Sequence, residues 1–228
     1  MGGESSGRQS WWDIPVTLIL AFGLVLLITT FVAKPFSIPS GSMEDTLQVG
    51  DRVLVNRVVY HLRDIERGDV VVFDGTDSFV PATAVESRNP GAAVLAWVGQ
   101  SVGVIPPDGT DFVKRVIGVG GDRVACCDET GRVTVNGVPL DEASYLYPGD
   151  SPSDQSFDVI VPEGMLWLMG DHRSNSADSR AHLGDPGGGM VPESRVVGRV
   201  MNVLWPLNRI SSVPVPDSFA AVASAESG

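Results

Sequence analysis

The 228-residue chain has only two lysines, Lys34 and Lys114, and only two cysteines, Cys126 and Cys127. Its 16 basic residues face 28 acidic ones, for a formal charge of −12. That balance argues against nucleic acid, because phosphate binding needs a basic face. It equally argues against electrostatic docking onto anionic lipid. Adjacent cysteines offer no metal-ligand spacing and close no useful loop. They read as two buried thiols, with a strained vicinal disulfide as the alternative in an oxidising compartment, and no catalytic role is expected of them. There is no Gly-x-Ser-x-Gly elbow around Ser42, no Ser-x-x-Lys and no Gly-x-x-x-x-Gly-Lys loop. At 43% hydrophobic residues the chain can build a globular core but not a polytopic membrane protein.

One long uncharged run is present, Ile14 to Ala33. Its length in a helix is about 30 Å, one hydrocarbon core. Trp11 and Trp12 precede it and Lys34 follows, as interface anchors do. Cleavage after Ala33 would put bulky Phe31 at the −3 position, so the run reads as an uncleaved anchor and not a signal peptide. The expected organisation is a short cytoplasmic segment at 1–13, a transmembrane helix at 14–33, a domain over 34–210 and a disordered tail at 211–228.

From Lys34 onward the pattern is mostly β. Val53-Leu54-Val55 is a strand core. Gly68-Asp69 followed by Val70-Val71-Val72-Phe73 is a turn and then a strand buried on both faces. Phe112 to Val119 is a strand holding a basic pair, ended by Gly120-Gly121-Asp122. Asn136-Gly137 predicts a tight hairpin between Val133-Thr134-Val135 and Val138-Pro139-Leu140. Met165 to Met169 is another buried strand, and Val196 to Leu204 closes the domain with its alternation broken at Gly198. The reading is an all-β barrel or sandwich. An insertion is expected over about 75–109, in which residues 92–99 form an apolar stretch around Trp97. A β-hairpin subdomain is expected over about 120–165.

A serine hydroxyl is a poor nucleophile near neutral pH and needs a base. Ser42 lies in Ile38-Pro39-Ser40-Gly41-Ser42-Met43, just past the apolar run, where a Ser after Gly is ordinarily a turn residue. Of the histidines, His61 and His182 sit in connections, and His172 follows Asp171 directly, a poor placement for that carboxylate to orient the ring. Lys114 could serve as a base only if burial kept it neutral. Strand periodicity alone favours a solvent-facing Lys114, with Arg115 on the opposite face. The segment Met169 to Arg180 is dense in Asp, Asn, Ser and Arg directly after a buried strand, which suits either a solvated loop or the brace of a site.

Four motifs in order resemble bacterial type I signal peptidase, in its single-anchor actinobacterial form. They are Pro-Ser-Gly-Ser-Met at Pro39, Gly-Asp-Val-Val-Val-Phe at Gly68, Phe-Val-Lys-Arg-Val-Ile-Gly at Phe112, and Gly-Asp-His-Arg-Ser-Asn-Ser-Ala-Asp-Ser-Arg at Gly170. The resemblance runs from the anchor to about residue 205. It implies a mainly β, signal-peptidase/LexA-like fold with one N-terminal transmembrane helix. It also implies a serine endopeptidase that cleaves signal peptides from exported preproteins after small residues at −1 and −3. The implied setting is the cytoplasmic membrane, with the N-terminus inside and the catalytic domain on the extracytoplasmic face.

By motif match Ser42 is the nucleophile and Lys114 the general base. Ser40 and the Ser42 N–H form the oxyanion hole, Ser176 orients Lys114, and Asp171, Asp178 and Arg180 form an ion-pair brace. Phe36, Ile38, Pro39, Met43 and Val113 line the substrate pockets. Preproteins and the lipid bilayer are the implied partners; nucleic acid, metal and cofactor are not. Gly120, His172 and Ser174 stand where the family often has Pro, Asn and Asp. A repressor-type Ser/Lys autoprotease is disfavoured by the anchor. A catalytically silent tethered β-domain is disfavoured by the presence of Ser42, Lys114 and Ser176. A specialised peptidase of a conjugation or pilus system remains compatible with the sequence.

Overall fold

A computed structural model of the protein describes residues 13–80, 110–185 and 187–226, with the side chains of the first helix described over residues 14–24. That helix, α1, runs Asp13–Phe31. Pro15 falls in its first turn, where a missing N–H costs nothing. Among the described residues no helix is long and apolar enough to cross a membrane. The helix stops at Phe31 and a strand begins at Ala33, so the expected span of 14–33 overshoots the helix by two residues.

In chain order the strands are β1 (Ala33–Ser37), β2 (Arg52–Asn56), β3 (Val70–Asp74), β4 (Asp111–Gly118), β5 (Arg123–Cys126), β6 (Val133–Val135), β7 (Val138–Pro139), β8 (Phe157–Ile160), β9 (Met165–Met169), β10 (Val191–Pro192), β11 (Val196–Trp205) and β12 (Ser211–Ser212). Among the described residues they form an eight-stranded sheet in the order β1-β2-β11-β3-β4-β9-β10, with β12 on β11, and a four-stranded sheet in the order β7-β6-β5-β8. All strand pairings are antiparallel.

The strands fall where the apolar runs are. β3 is buried along four successive residues, as a central strand covered on both faces must be. Asn136 and Gly137 adopt φ of 52° and 80°, the left-handed pair that a two-residue hairpin requires. The break at Gly198 is a register irregularity between β11 and β3, and a Cβ there would collide with the Asn56 carbonyl.

Among the described residues three apolar clusters fill the domain. One packs Phe36, Ile38, Met43 and Leu47 against Val53, Val55 and Val200. A second holds Val71, Phe73, Phe79, Val116 and Leu168. The third lies between the two sheets around Ile117, Val135, Tyr145 and Trp167.

Two expectations are corrected. The C-terminal segment is not disordered: β12 pairs with β11, and a second helix, α2 (Ser218–Glu226), buries Phe219 and Val222 in the third cluster. Phe219 and Val222 lie on one face of this helix, with Val215 just before it packed on the same cluster, a pattern masked by the Ala and Ser around them. Cys126 and Cys127 are joined by a disulfide and are not separate thiols. Strand alternation would send neighbours to opposite faces, but β5 ends at Cys126 and alternation does not carry through Cys127. The apolar stretch at 92–99, most of the insertion and residues 1–12 lie outside the described residues.

Candidate active site

Strand β4 sits in the middle of the large sheet, with Lys114 paired to Val71 of β3 and Arg115 to Met169 of β9. Successive side chains point to opposite faces, and both faces are covered. Lys114 is 3% exposed and Arg115 1% exposed. The solvent-facing lysine that periodicity favoured is therefore absent, because a central strand in a doubly covered sheet has no wet side.

Ser42 is brought to Lys114 by the connection between β1 and β2. The Ile38 N–H donates to the Asp51 carbonyl and the Gly50 N–H to the Ile38 carbonyl, which clamp the base of this loop. Inside it the Glu44 N–H donates to the Gly41 carbonyl, and Asp45 takes a φ of 84°. The turn projects Ser42, 8% exposed, onto the lysine, and Lys114 Nζ lies 2.5 Å from Ser42 Oγ. Burial lowers the Lys114 pKa to about 8, against the upward pull of Asp178 and Asp171 and with a smaller downward push from Arg180.

An open groove of about 580 Å³ runs past this pair, lined by Ser40, Gly41, Ser42, Phe112, Lys114 and the segment Ser174–Ala177 with Ala181. Ser40 is exposed beside it. Ser176 Oγ is buried and makes no hydrogen bond among the described residues, although it is near enough to Asp178 to help lower that carboxyl's pKa. Gly170 permits the approach, since a Cβ there would collide with both Ser176 Oγ and the Ser42 carbonyl.

The brace consists of two separate ion pairs. Burial pushes the Asp178 carboxyl up, but the Arg180 guanidinium overrides it and the net shift is downward. Arg180 Nε and Nη2 donate to the two Asp178 oxygens at 2.9 and 2.8 Å, and the Gly170 N–H adds a third bond at 3.0 Å. Asp171 is paired instead with Arg115, by Nε at 2.8 Å and Nη2 at 2.7 Å, and accepts from Thr46 Oγ1 at 2.6 Å. Burial alone would lower the Arg115 pKa, yet the Asp171 carboxylate raises it overall. Arg115 also donates to the Gly68 carbonyl and lies 4.3 Å over the Tyr145 ring.

The sequence reading missed Arg115, Thr46, Tyr145 and the Arg173–Glu142 pair behind them, joined at 2.5 Å. Arg115 carried a weak signal as a basic residue inside an apolar strand; Glu142 lies in an irregular segment with none. Of the residues expected to line substrate pockets, Phe36, Ile38 and Met43 are packed in the first cluster, Val113 is packed against it, and Pro39 is exposed. None of the five lines the groove at Ser42. No group of three or more metal-capable side chains occurs among the described residues.

The chain matches the family described as "Signal peptidase, peptidase S26" over residues 11–205. It is 41% identical to a probable signal peptidase I of Mycobacterium leprae (strain TN), covering 92% of this chain and 81% of that one. It is 40% identical to the signal peptidase I of Mycobacterium tuberculosis (strain ATCC 25618 / H37Rv), covering 89% of this chain and 75% of that one. A crystal structure of a signal peptidase I from Enterococcus faecalis V583 is 25% identical, over 60% of this chain and 97% of that one, with a TM-score of 0.37. The family match and the mycobacterial relatives make the protein a serine peptidase of the hydrolase class. Within that class the chain belongs to the signal peptidase family, peptidase S26, among the bacterial type I enzymes.

Proposed function

We propose that the protein is a membrane-anchored endopeptidase that removes signal peptides from exported preproteins by a Ser42/Lys114 dyad. One observation carries the reading: a buried amine with its pKa lowered to about 8 stands 2.5 Å from a serine hydroxyl in an open groove. Neutral Lys114 takes the proton of Ser42 Oγ as that oxygen attacks the scissile carbonyl. The oxyanion is met by Ser40 Oγ and the Ser42 N–H. Lys114 then protonates the leaving amine and afterwards activates the water that hydrolyses the acyl-enzyme. Ser176, whose buried hydroxyl lies in the same groove beside Asp178, orients the amine. Asp171, Asp178 and Arg180 hold the segment that carries it. No step calls for a metal or cofactor.

Selectivity for small −1 and −3 side chains follows if Phe36, Ile38, Met43 and Val113 back the subsites. Phe36, Ile38 and Met43 are buried in the first cluster with Val113 packed against it, so they would back the subsites from beneath the surface, with the exposed Pro39 beside them. Anchoring is supported by the uncharged run from Ile14 to Ala33 and by the exposure of Ile14, Leu18, Ile19, Leu20, Phe22 and Leu24 along α1. With the N-terminus inside and the domain on the extracytoplasmic face, enzyme and substrate share one plane, which raises their effective concentration.

The test is processing of a preprotein with an Ala-x-Ala site by the full chain in lipid vesicles. Wild type cleaves after the second Ala; Ser42→Ala does not, and Leu at −1 or −3 of the substrate blocks cleavage. Cleavage by Ser42→Ala would exclude the dyad, and indifference to Leu would exclude the pocket assignment.

A further inference from the structure

The turn that carries Ser42 is gripped from one side by a residue that the dyad does not use. The His172 N–H donates to the Ser42 carbonyl at 3.1 Å, a bond any residue there could supply. The side chain adds what only some residues could. His172 Nδ1 lies 3.2 Å from the Gly41 carbonyl and 3.0 Å from Glu44 Oε2. Both neighbours accept hydrogen bonds, so Nδ1 carries the hydrogen and donates to them. The ring is held flat against Tyr147, with centroids 3.9 Å apart and planes 11° from parallel.

Gly41 is enclosed by the same group. A Cβ built there would lie 3.0 Å from Glu44 Oε2 and 3.1 Å from Asn175 Nδ2, so both side-chain ends close on the turn from that side. The Asn175 N–H in turn donates to the His172 carbonyl at 3.0 Å. Gly41, one residue before the nucleophile, is therefore flanked by His172, Glu44 and Asn175.

We propose that His172 is a positioning residue, whose Nδ1–H, shared between the Gly41 carbonyl and the Glu44 carboxylate, sets the turn that aims Ser42 Oγ at Lys114. The proposal rests on Ser42 and Lys114 being the reacting pair. Its consequence is specific. Loosening the turn leaves substrate contacts elsewhere in the groove intact but lengthens the reach between hydroxyl and amine, so it costs turnover and not affinity.

Full-chain enzyme in vesicles tests it, with kcat and KM measured on the Ala-x-Ala preprotein. His172→Phe keeps the ring stacked on Tyr147 and removes the donor. His172→Asn places an amide N–H near Nδ1 and can serve both acceptors. The expected result is a kcat about tenfold lower for His172→Phe with KM within about twofold of wild type, and recovery of most of that loss in His172→Asn. Should the Phe variant misfold, His172→Leu, smaller than the ring it replaces, makes the same comparison. Wild-type kcat without the donor, a loss confined to KM, or equal impairment with and without the amide would each overturn the proposal. Ser42→Ala is assayed alongside: activity surviving there would overturn the dyad itself, and the proposal with it.

Discussion

Ser42 Oγ and Lys114 Nζ meet at 2.5 Å across 72 positions of sequence, and neither is more than 8% exposed. The contact exists because β4 is central in its sheet and because the β1–β2 loop is tied at its base and held at its turn by the segment after β9. Under the proposed mechanism, the protonation state of that amine decides whether the hydroxyl can react.

The first prediction is a pH profile. With the Lys114 pKa at about 8, kcat/KM rises with pH through an acidic limb near that value. Asp178 pulls the Lys114 pKa up, so Asp178→Asn moves the limb to lower pH even as it lowers the plateau. A limb that moves to higher pH in this variant would contradict the electrostatic assignment.

The second concerns stability. Lys114 has a depressed folded pKa, about 8 against 10.5. Below pH 8 both folded and unfolded chains bind the proton and the full penalty is present. It is relieved as pH rises from 8 to 10.5, where only the unfolded chain binds it, and is gone above. The penalty is roughly 3 kcal/mol at about 1.4 kcal/mol per unit. Lys114→Met, inactive, is therefore more stable at pH 7 by about 2 kcal/mol once the lost contact to Ser42 is discounted. The gain fades between pH 8 and 10.5; denaturant titration across that range reads it.

The third concerns the hidden pair. Asp171→Asn leaves Arg115 buried with its charge uncompensated and costs about 3 kcal/mol or more in urea unfolding. Arg115→Met costs a similar amount, and the double variant costs well under the sum, because the partners fail together. Additive losses would show that the two are not coupled.

The fourth concerns the C-terminal helix. Phe219 fills the space over Gly68 and stacks near Tyr145, with ring centroids 6.1 Å apart. Phe219→Ala should cost about 3 kcal/mol. An unchanged Tm would contradict the docking of α2.

Most strands were legible because their apolar runs are short, continuous and punctuated by Gly and Asn-Gly. The Ser42–Lys114 contact was legible only through motif order. Periodicity assigns one wet face to a strand, and Lys114 and Arg115 lie on opposite faces of a strand that has none. The Arg115–Asp171 partnership was hidden because 56 residues separate the two, and local pattern carries no information about register across a sheet. α2 was obscured by composition: a Ser/Ala-rich tail looks like a solvated one until Phe219 and Val222 are counted at helical spacing.

The central claim is that Lys114 acts as a neutral base on Ser42, and the most direct measurement is preprotein processing by Lys114→Arg from pH 7 to 10. Arg keeps a positive charge at the same position and cannot give it up in this range. The account predicts no processing at any of these pH values, with the variant folded. Processing by Lys114→Arg at a rate near wild type would contradict it.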